Sequence, residues 1–223
     1  MNSKLKHKLG IDFLMTVLLM LLMSYELIGQ RAHEWIGVAM FVLFLVHHIL
    51  NRKWFGNLRN GRWSPVRIWQ VLLILWVLAS MLGSMVSGII LSRSVFTFLP
   101  IRQGQGISRT VHQFCAYWGF AGMSLHLGFY WNMILTMAKK HANLDSAKWS
   151  LRILAAVIVF YGIYAFLKRD IGSYMLLQNE FVFFDYEEPL LFFFMDYLAV
   201  MGMFVCLGHY MKKILIRLSQ KHV

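Results

Sequence analysis

The stretch His33–His48, HEWIGVAMFVLFLVHH, decides the fold. It is an apolar run with imidazoles at both ends, and fourteen residues separate His33 from His47. Fourteen helical steps are nearly four turns, so both rings leave the helix on one side, within about 40° of each other and about 21 Å apart along the axis. That rise covers most of the hydrocarbon thickness of a bilayer. Ionisable side chains at such depth are candidates for function before they are candidates for packing.

The remaining composition fits that setting. Of 223 residues, 59% are hydrophobic and 16% aromatic, while 14% are charged; soluble domains carry roughly a quarter charged residues. The expectation is an all-α integral membrane protein, a six-helix bundle in one domain over 1–223. A span needs about 20 mostly apolar residues, and six segments qualify: 10–29, 32–51, 66–92, 109–138, 150–168 and 190–211. The basic-then-apolar start imitates a signal peptide, but no small-x-small cleavage pattern follows the run, so it reads as a retained first span. Cys115 and Cys206 lie in apolar runs without C-x-x-C, C-x-x-C-H or zinc spacing, and read as small buried residues. No Gly-rich nucleotide motif is present, which leaves no resident NAD or flavin domain.

Basic residues set the expected direction. Sixteen fall on one side: Lys4, Lys6, Lys8, Arg52, Lys53, Arg59, Arg62, Arg67, Lys139, Lys140, Lys148, Arg152, Lys212, Lys213, Arg217 and Lys221. Six fall on the other: Arg31, Arg93, Arg102, Arg109, Lys168 and Arg169. The richer side is expected to face the cytoplasm of a bacterial inner membrane, with both termini there. The net charge of +12 then reflects topology and contact with anionic lipid rather than nucleic acid, because the cations are dispersed over loops. The outer connection 170–189 carries Asp170, Glu180, Asp185, Glu187, Glu188 and many aromatics, and reads either as an interfacial helix or lid, or as a plain aromatic-belt loop.

The fourth segment repeats the spacing of the second: His112 and His126 are also fourteen apart. Segments separated by one span run in the same direction, so His33 meets His112 at an outer level and His47 meets His126 at an inner one. An iron macrocycle takes one axial ligand on each face, and neutral imidazole suits it; helix bundles supply such ligands from facing helices. Two matched pairs are what two stacked haems require. A lone intramembrane histidine more often bonds a neighbouring helix, but two equal spacings on parallel helices weigh against that. A zinc or copper site would gather its ligands at one depth. His48 competes with His47, being fifteen residues from His33, and the equal spacings favour His47.

With these four histidines the chain resembles the di-haem membrane cytochrome b superfamily, the respiratory cytochromes b and the ferric reductase-like domains. The string HHILNRKW, 47–54, is similar to one in a small, uncharacterised bacterial cytochrome b-like family. The resemblance covers 10–138, the expected four-helix di-haem core. It implies two haem b groups, ligated by His33 with His112 and by His47 with His126. It also implies small residues where porphyrin edges pack: Gly10 and Ser24 on the first helix, Gly83, Ser84 and Gly88 on the third. No matching glycine lies lower on the third helix, and quinol-site motifs of the large respiratory proteins are absent.

Propionates are anionic, and Arg31, Arg102 and Arg109 outside, with Arg52 and Lys53 inside, are placed to meet them; each also reads as a topology-setting charge. Glu26, Glu34 and Asp196 are candidates for proton exchange with a quinol or for interfacial ion pairs, and His209 reads as structural. The expected activity is electron transfer across the bilayer, quinone-linked or as the membrane subunit of a redox complex, with a quinone as a further cofactor and a quinol or redox protein as partner. The alternatives are a stand-alone reductase for an outer acceptor such as ferric iron, flavin or oxygen species, and a transporter or proton relay without iron.

Overall fold

The computed structural model describes residues 3–59, 63–101, 103–139 and 148–220. Among them every regular element is helical. Six helices are long: α1 (Ser3–Met23), α2 (Gln30–Leu50), α3 (Pro65–Leu91), α4 (Gln105–Phe129), α5 (Lys148–Lys168) and α6 (Leu190–Gln220). Short helical turns flank them at Tyr25–Ile28, Arg52–Gly56, Asn57–Arg59, Trp131–Lys139 and Ile171–Met175. Arg62, Arg102, Lys140 and Lys221, used above for orientation and propionate contacts, lie outside the described residues.

Four helices, α2, α3, α5 and α6, are long and apolar enough to cross a membrane. Their apolar side chains point outward as well as inward: on α5, Phe160 is 74% and Leu167 71% exposed. A soluble helix hides its apolar stripe, whereas one that is apolar all round needs lipid or protein on every face. The other two long helices are more polar. Lys6, Lys8 and Asp12 interrupt α1, and His112, Gln113, Ser124 and His126 interrupt α4.

The long helices alternate in direction. At one end, Lys8 Nζ of α1 donates to Asn51 Oδ1 just after α2 (2.9 Å), and Lys212 Nζ of α6 donates to the Phe129 carbonyl that closes α4 (2.8 Å). At the other end, Glu34 Oε2 near the start of α2 accepts from Ser92 Oγ (2.7 Å) and from the Ser94 and Val95 amides, just after α3. Packing divides unevenly: α1 lies on α2, while α3, α4, α5 and α6 form a larger unit in which α4 touches both α3 and α6. The backbones of α2 and α4 do not pack extensively on each other; they meet through side chains.

Close packing of α4 on α6 depends on two glycines. A Cβ on Gly128 would overlap the Val205 carbonyl, and one on Gly208 would overlap the Leu125 carbonyl. Each glycine lets the opposing backbone approach without an intervening side chain, as small residues do where membrane helices cross. Gly208→Val is therefore expected to cost roughly 1–3 kcal/mol or more from overpacking. It should appear as a lower melting temperature in detergent, measured by loss of the monodisperse chromatographic peak after heating.

Several boundaries differ from expectation. The first segment, expected over 10–29, is helical from Ser3 and stops at Met23; Ser24 turns its hydroxyl back to the Leu21 carbonyl (2.7 Å) before the Tyr25–Ile28 turn. The fourth, expected over 109–138, begins at Gln105 and breaks at Tyr130 before resuming as Trp131–Lys139. The sixth runs to Gln220 rather than 211, because lysine and arginine near a helix end can carry their stems along it while their heads reach water. The connection 170–189 contains the short helical turn Ile171–Met175. Tyr174 is buried and stacks on Tyr117 of α4 at 5.2 Å, while Trp118 Nε1 donates to the Met175 carbonyl (2.9 Å) and Gln113 Nε2 to that of Asn179 (2.8 Å). The connection is thus bonded down over the outer half of α4.

Candidate functional site

The stripe on α2 that carries the two histidines is His33, Gly37, Met40, Phe44 and His47, spaced by three or four residues and hence on one face. Met40 and Phe44, in the middle of it, are almost wholly buried. They join Phe120 and Tyr117 of α4 in one apolar cluster. The histidines are therefore separated by packed apolar side chains rather than by a polar channel.

At the outer level the His33 and His112 rings face each other, with centroids 6.0 Å apart and planes at 67°. Tyr25 closes the other side of His33, edge to face at 5.0 Å. The His112 ring is held from α3. Its Nδ1 lies 3.1 Å from the Ser84 carbonyl and 3.1 Å from Ser87 Oγ, and Ser87 itself donates to the Gly83 carbonyl at 2.6 Å. A carbonyl only accepts, so the proton of His112 sits on Nδ1 and the lone pair on Nε2. The ring rests on Gly88, where an added Cβ would meet His112 Cε1 at 3.4 Å. The buried Nδ1 of His33 makes no hydrogen bond of good geometry, although the Leu22 carbonyl of α1 lies near the ring.

At the inner level His47 Nδ1 meets Asp12 Oδ1 of α1 at 2.7 Å. Asn51 Nδ2 donates to the His47 carbonyl (2.9 Å) and lies 3.5 Å from His47 Nε2, too far for a good bond. His126 of α4 shares this level, but its ring makes no contact with that of His47, whose ring neighbour is His48 at 5.5 Å. His126 stands 5.0 Å from the Tyr130 ring, and its buried Nδ1 also lacks a partner. His48 is tied to its own helix: Nδ1 lies 2.8 Å from the Phe44 carbonyl, and the ring stacks on Phe55 at 5.8 Å.

Two imidazoles on one iron, each nitrogen about 2 Å from the metal, put their ring centres roughly 6 Å apart. The outer pair meets that spacing. An ordinary edge-to-face ring pair spans a similar distance, so spacing alone does not separate the two arrangements. The orphaned nitrogens add the second criterion. Buried polar atoms without partners are rare and call for a ligand, ion or water, and among the described residues such side-chain atoms belong to His33, His126 and His209. His33 and His112 thus fit a group that would be held between two imidazoles. Among the described residues no three His, Cys, Asp or Glu gather as a metal cluster.

Other candidates fall away from the pairs. Arg109 lies 5.4 Å over the Phe181 ring, and Arg31 and Arg52 are exposed at their helix ends. Glu34 is consumed by loop bonds, also accepting from the Arg93 amide (2.9 Å) and Gln30 (3.1 Å). Glu26 accepts from Tyr186 (3.0 Å), a bond that raises the phenol above its ordinary pKa and ties the outer connection to the Tyr25–Ile28 turn. Asp196 is fully buried between α5 and α6, bonded to Tyr161 (2.5 Å), Lys168 (2.9 Å) and Arg169 (2.8 Å). The small residues of α3 serve a different purpose from porphyrin packing: Gly83 makes room for Cys115, while Ser84 and Gly88 hold His112. Gly10 faces open space, and Ser24 caps its own helix. Asp12, Ser84 and Ser87 were not read from sequence as partners of the histidines. A lone carboxylate within α1, beside its apolar run, was the available signal for Asp12.

No protein-family model, no curated protein and no solved structure matches the chain.

Proposed function

We propose that this chain is a di-haem b-type membrane cytochrome that carries electrons across a bilayer. Its six long helices would span the membrane, with both termini on the cytoplasmic side of a bacterial inner membrane and lipid around the exposed apolar faces. His33 and His112 are the ligands of an outer haem, His47 and His126 those of an inner one. The observation that carries this reading is the 6.0 Å meeting of His33 and His112, with the His33 ring nitrogen left unpaired.

Bound iron would supply one-electron redox chemistry. The chain's own residues do the rest. Ser84 and Ser87 hold the His112 proton on Nδ1 and leave its Nε2 free to bind. Asp12 holds Nδ1 of His47, whose Nε2 lies 3.5 Å from Asn51 Nδ2. Met40 and Phe44 keep water out between the two levels. Arg31 and Arg109 outside, and Arg52 inside, offer cations for carboxylate groups at the membrane surfaces.

The partner in this reading is a quinol or a redox protein. The stand-alone reductase for an outer acceptor differs from this only in its donor and acceptor. Protein purified from haem-replete cells should give a reduced-minus-oxidised b-type spectrum. Reduction of that spectrum by a short-chain quinol in detergent supports the quinone-linked form; reduction only by a protein donor excludes it. A colourless preparation favours the transporter or proton relay.

The choice of His47 over His48 carries its own test. His48→Ala removes a ring already bonded to the Phe44 carbonyl. It is expected to keep both haems, as measured by haem content per chain, whereas His47→Ala loses one.

A further inference from the structure

The two histidine levels are built with different supports. At the outer level the bonded ring, His112, rests on neutral acceptors, the Ser84 carbonyl and the Ser87 hydroxyl, both from α3. At the inner level the bonded ring, His47, rests on a carboxylate, Asp12 Oδ1, at 2.7 Å from α1. The contact is shorter and charge-assisted. A histidine that donates its second N–H to a carboxylate becomes a more basic, stronger electron donor through its other nitrogen. A stronger donor stabilises ferric iron over ferrous.

We propose that Asp12 is a positioning residue that sets the inner haem at a lower reduction potential than the outer one. The inference rests on the haem reading above. One electron shared between the two levels then resides mainly at the outer level, and transfer from the cytoplasmic side outward is the downhill direction. At the outer level the Glu34 carboxylate acts on His33 through space, but its oxygens bond Gln30, Ser92 and the Arg93, Ser94 and Val95 amides rather than a ring nitrogen. Lys8, one turn from Asp12, directs its ammonium to Asn51 Oδ1 at 2.9 Å, and Asn51 spends its own amide on the His47 carbonyl.

The test is redox potentiometry on detergent-purified protein, read from the absorbance of each haem. His112→Ala retains the inner haem alone and His126→Ala the outer alone, which assigns the two potentials. The inner value is expected to lie below the outer. Asp12→Asn, which keeps the shape and a neutral acceptor, should raise the inner potential and leave the outer unchanged; Asp12→Glu, which keeps the carboxylate, should stay nearer the wild-type value. An inner potential equal to or above the outer overturns the proposal, as does an Asp12→Asn protein whose inner haem titrates as in wild type. Wild-type protein without haem would instead remove the underlying assignment, and this inference with it.

Discussion

His112→Ala is expected to halve the haem content of the purified protein and leave the inner haem with its absorbance intact. The expectation follows from the separation of the two levels. His33 and His112 meet ring to ring near one end of α2, His47 and His126 share the level of its other end without a ring contact, and the buried Met40 and Phe44 lie between the two levels on α2. Losing one axial imidazole removes a strong ligand. It also frees Ser84 and Ser87 on α3, whose carbonyl and hydroxyl can turn to other donors without disturbing α1 and α2. His126→Ala should give the mirror result, one haem remaining at the outer level. Pyridine-haem quantitation per chain measures both. Loss of both haems from each variant would mean that the levels do not bind independently, and unchanged haem in either would remove that residue from the ligand set.

The second large effect lies away from the histidines. Asp196→Ala is expected to destabilise the protein by about 3–5 kcal/mol, the usual cost of breaking a buried ion pair from one side. Asp196 is fully buried, and it anchors Tyr161, Lys168 and Arg169 at the end of α5. Removing it leaves Arg169, largely buried, with Glu188 alone at 2.6 Å. Thermal denaturation in detergent should show the fall, and Asp196→Asn, which keeps two hydrogen-bonding atoms, should fall less. If Asp196 instead exchanged protons with a quinol, Asp196→Asn would retain stability and lose quinol-driven haem reduction. The cluster of satisfied bonds around it argues for the structural role.

Much of this architecture is legible in the sequence because lipid imposes a simple rule: long apolar runs become helices. All six long helices overlap the six apolar segments. The ends are less legible, since they depend on single residues. Ser24 stops α1 by bonding back to Leu21, and Tyr130 interrupts α4 where its hydroxyl meets Gln70. At α6, Lys212 and Arg217 prolong the helix beyond its apolar part. The meeting of His33 with His112 is legible because a spacing of fourteen on two helices is a pattern within each helix. The supports of the histidines are not, because Asp12–His47 and Ser84–His112 join residues 35 and 28 positions apart. No periodicity links such partners. The neighbours of the glycines are illegible for the same reason: Gly83 lies against Cys115 and Gly88 against His112, both of α4.

The central claim is that each level of paired imidazoles holds one haem, and pyridine-haem quantitation of the wild-type protein tests it most directly. Protein purified from haem-sufficient cells and measured against its own concentration should contain two b-type haems per chain. A colourless protein, folded and monodisperse under the same conditions, would contradict it.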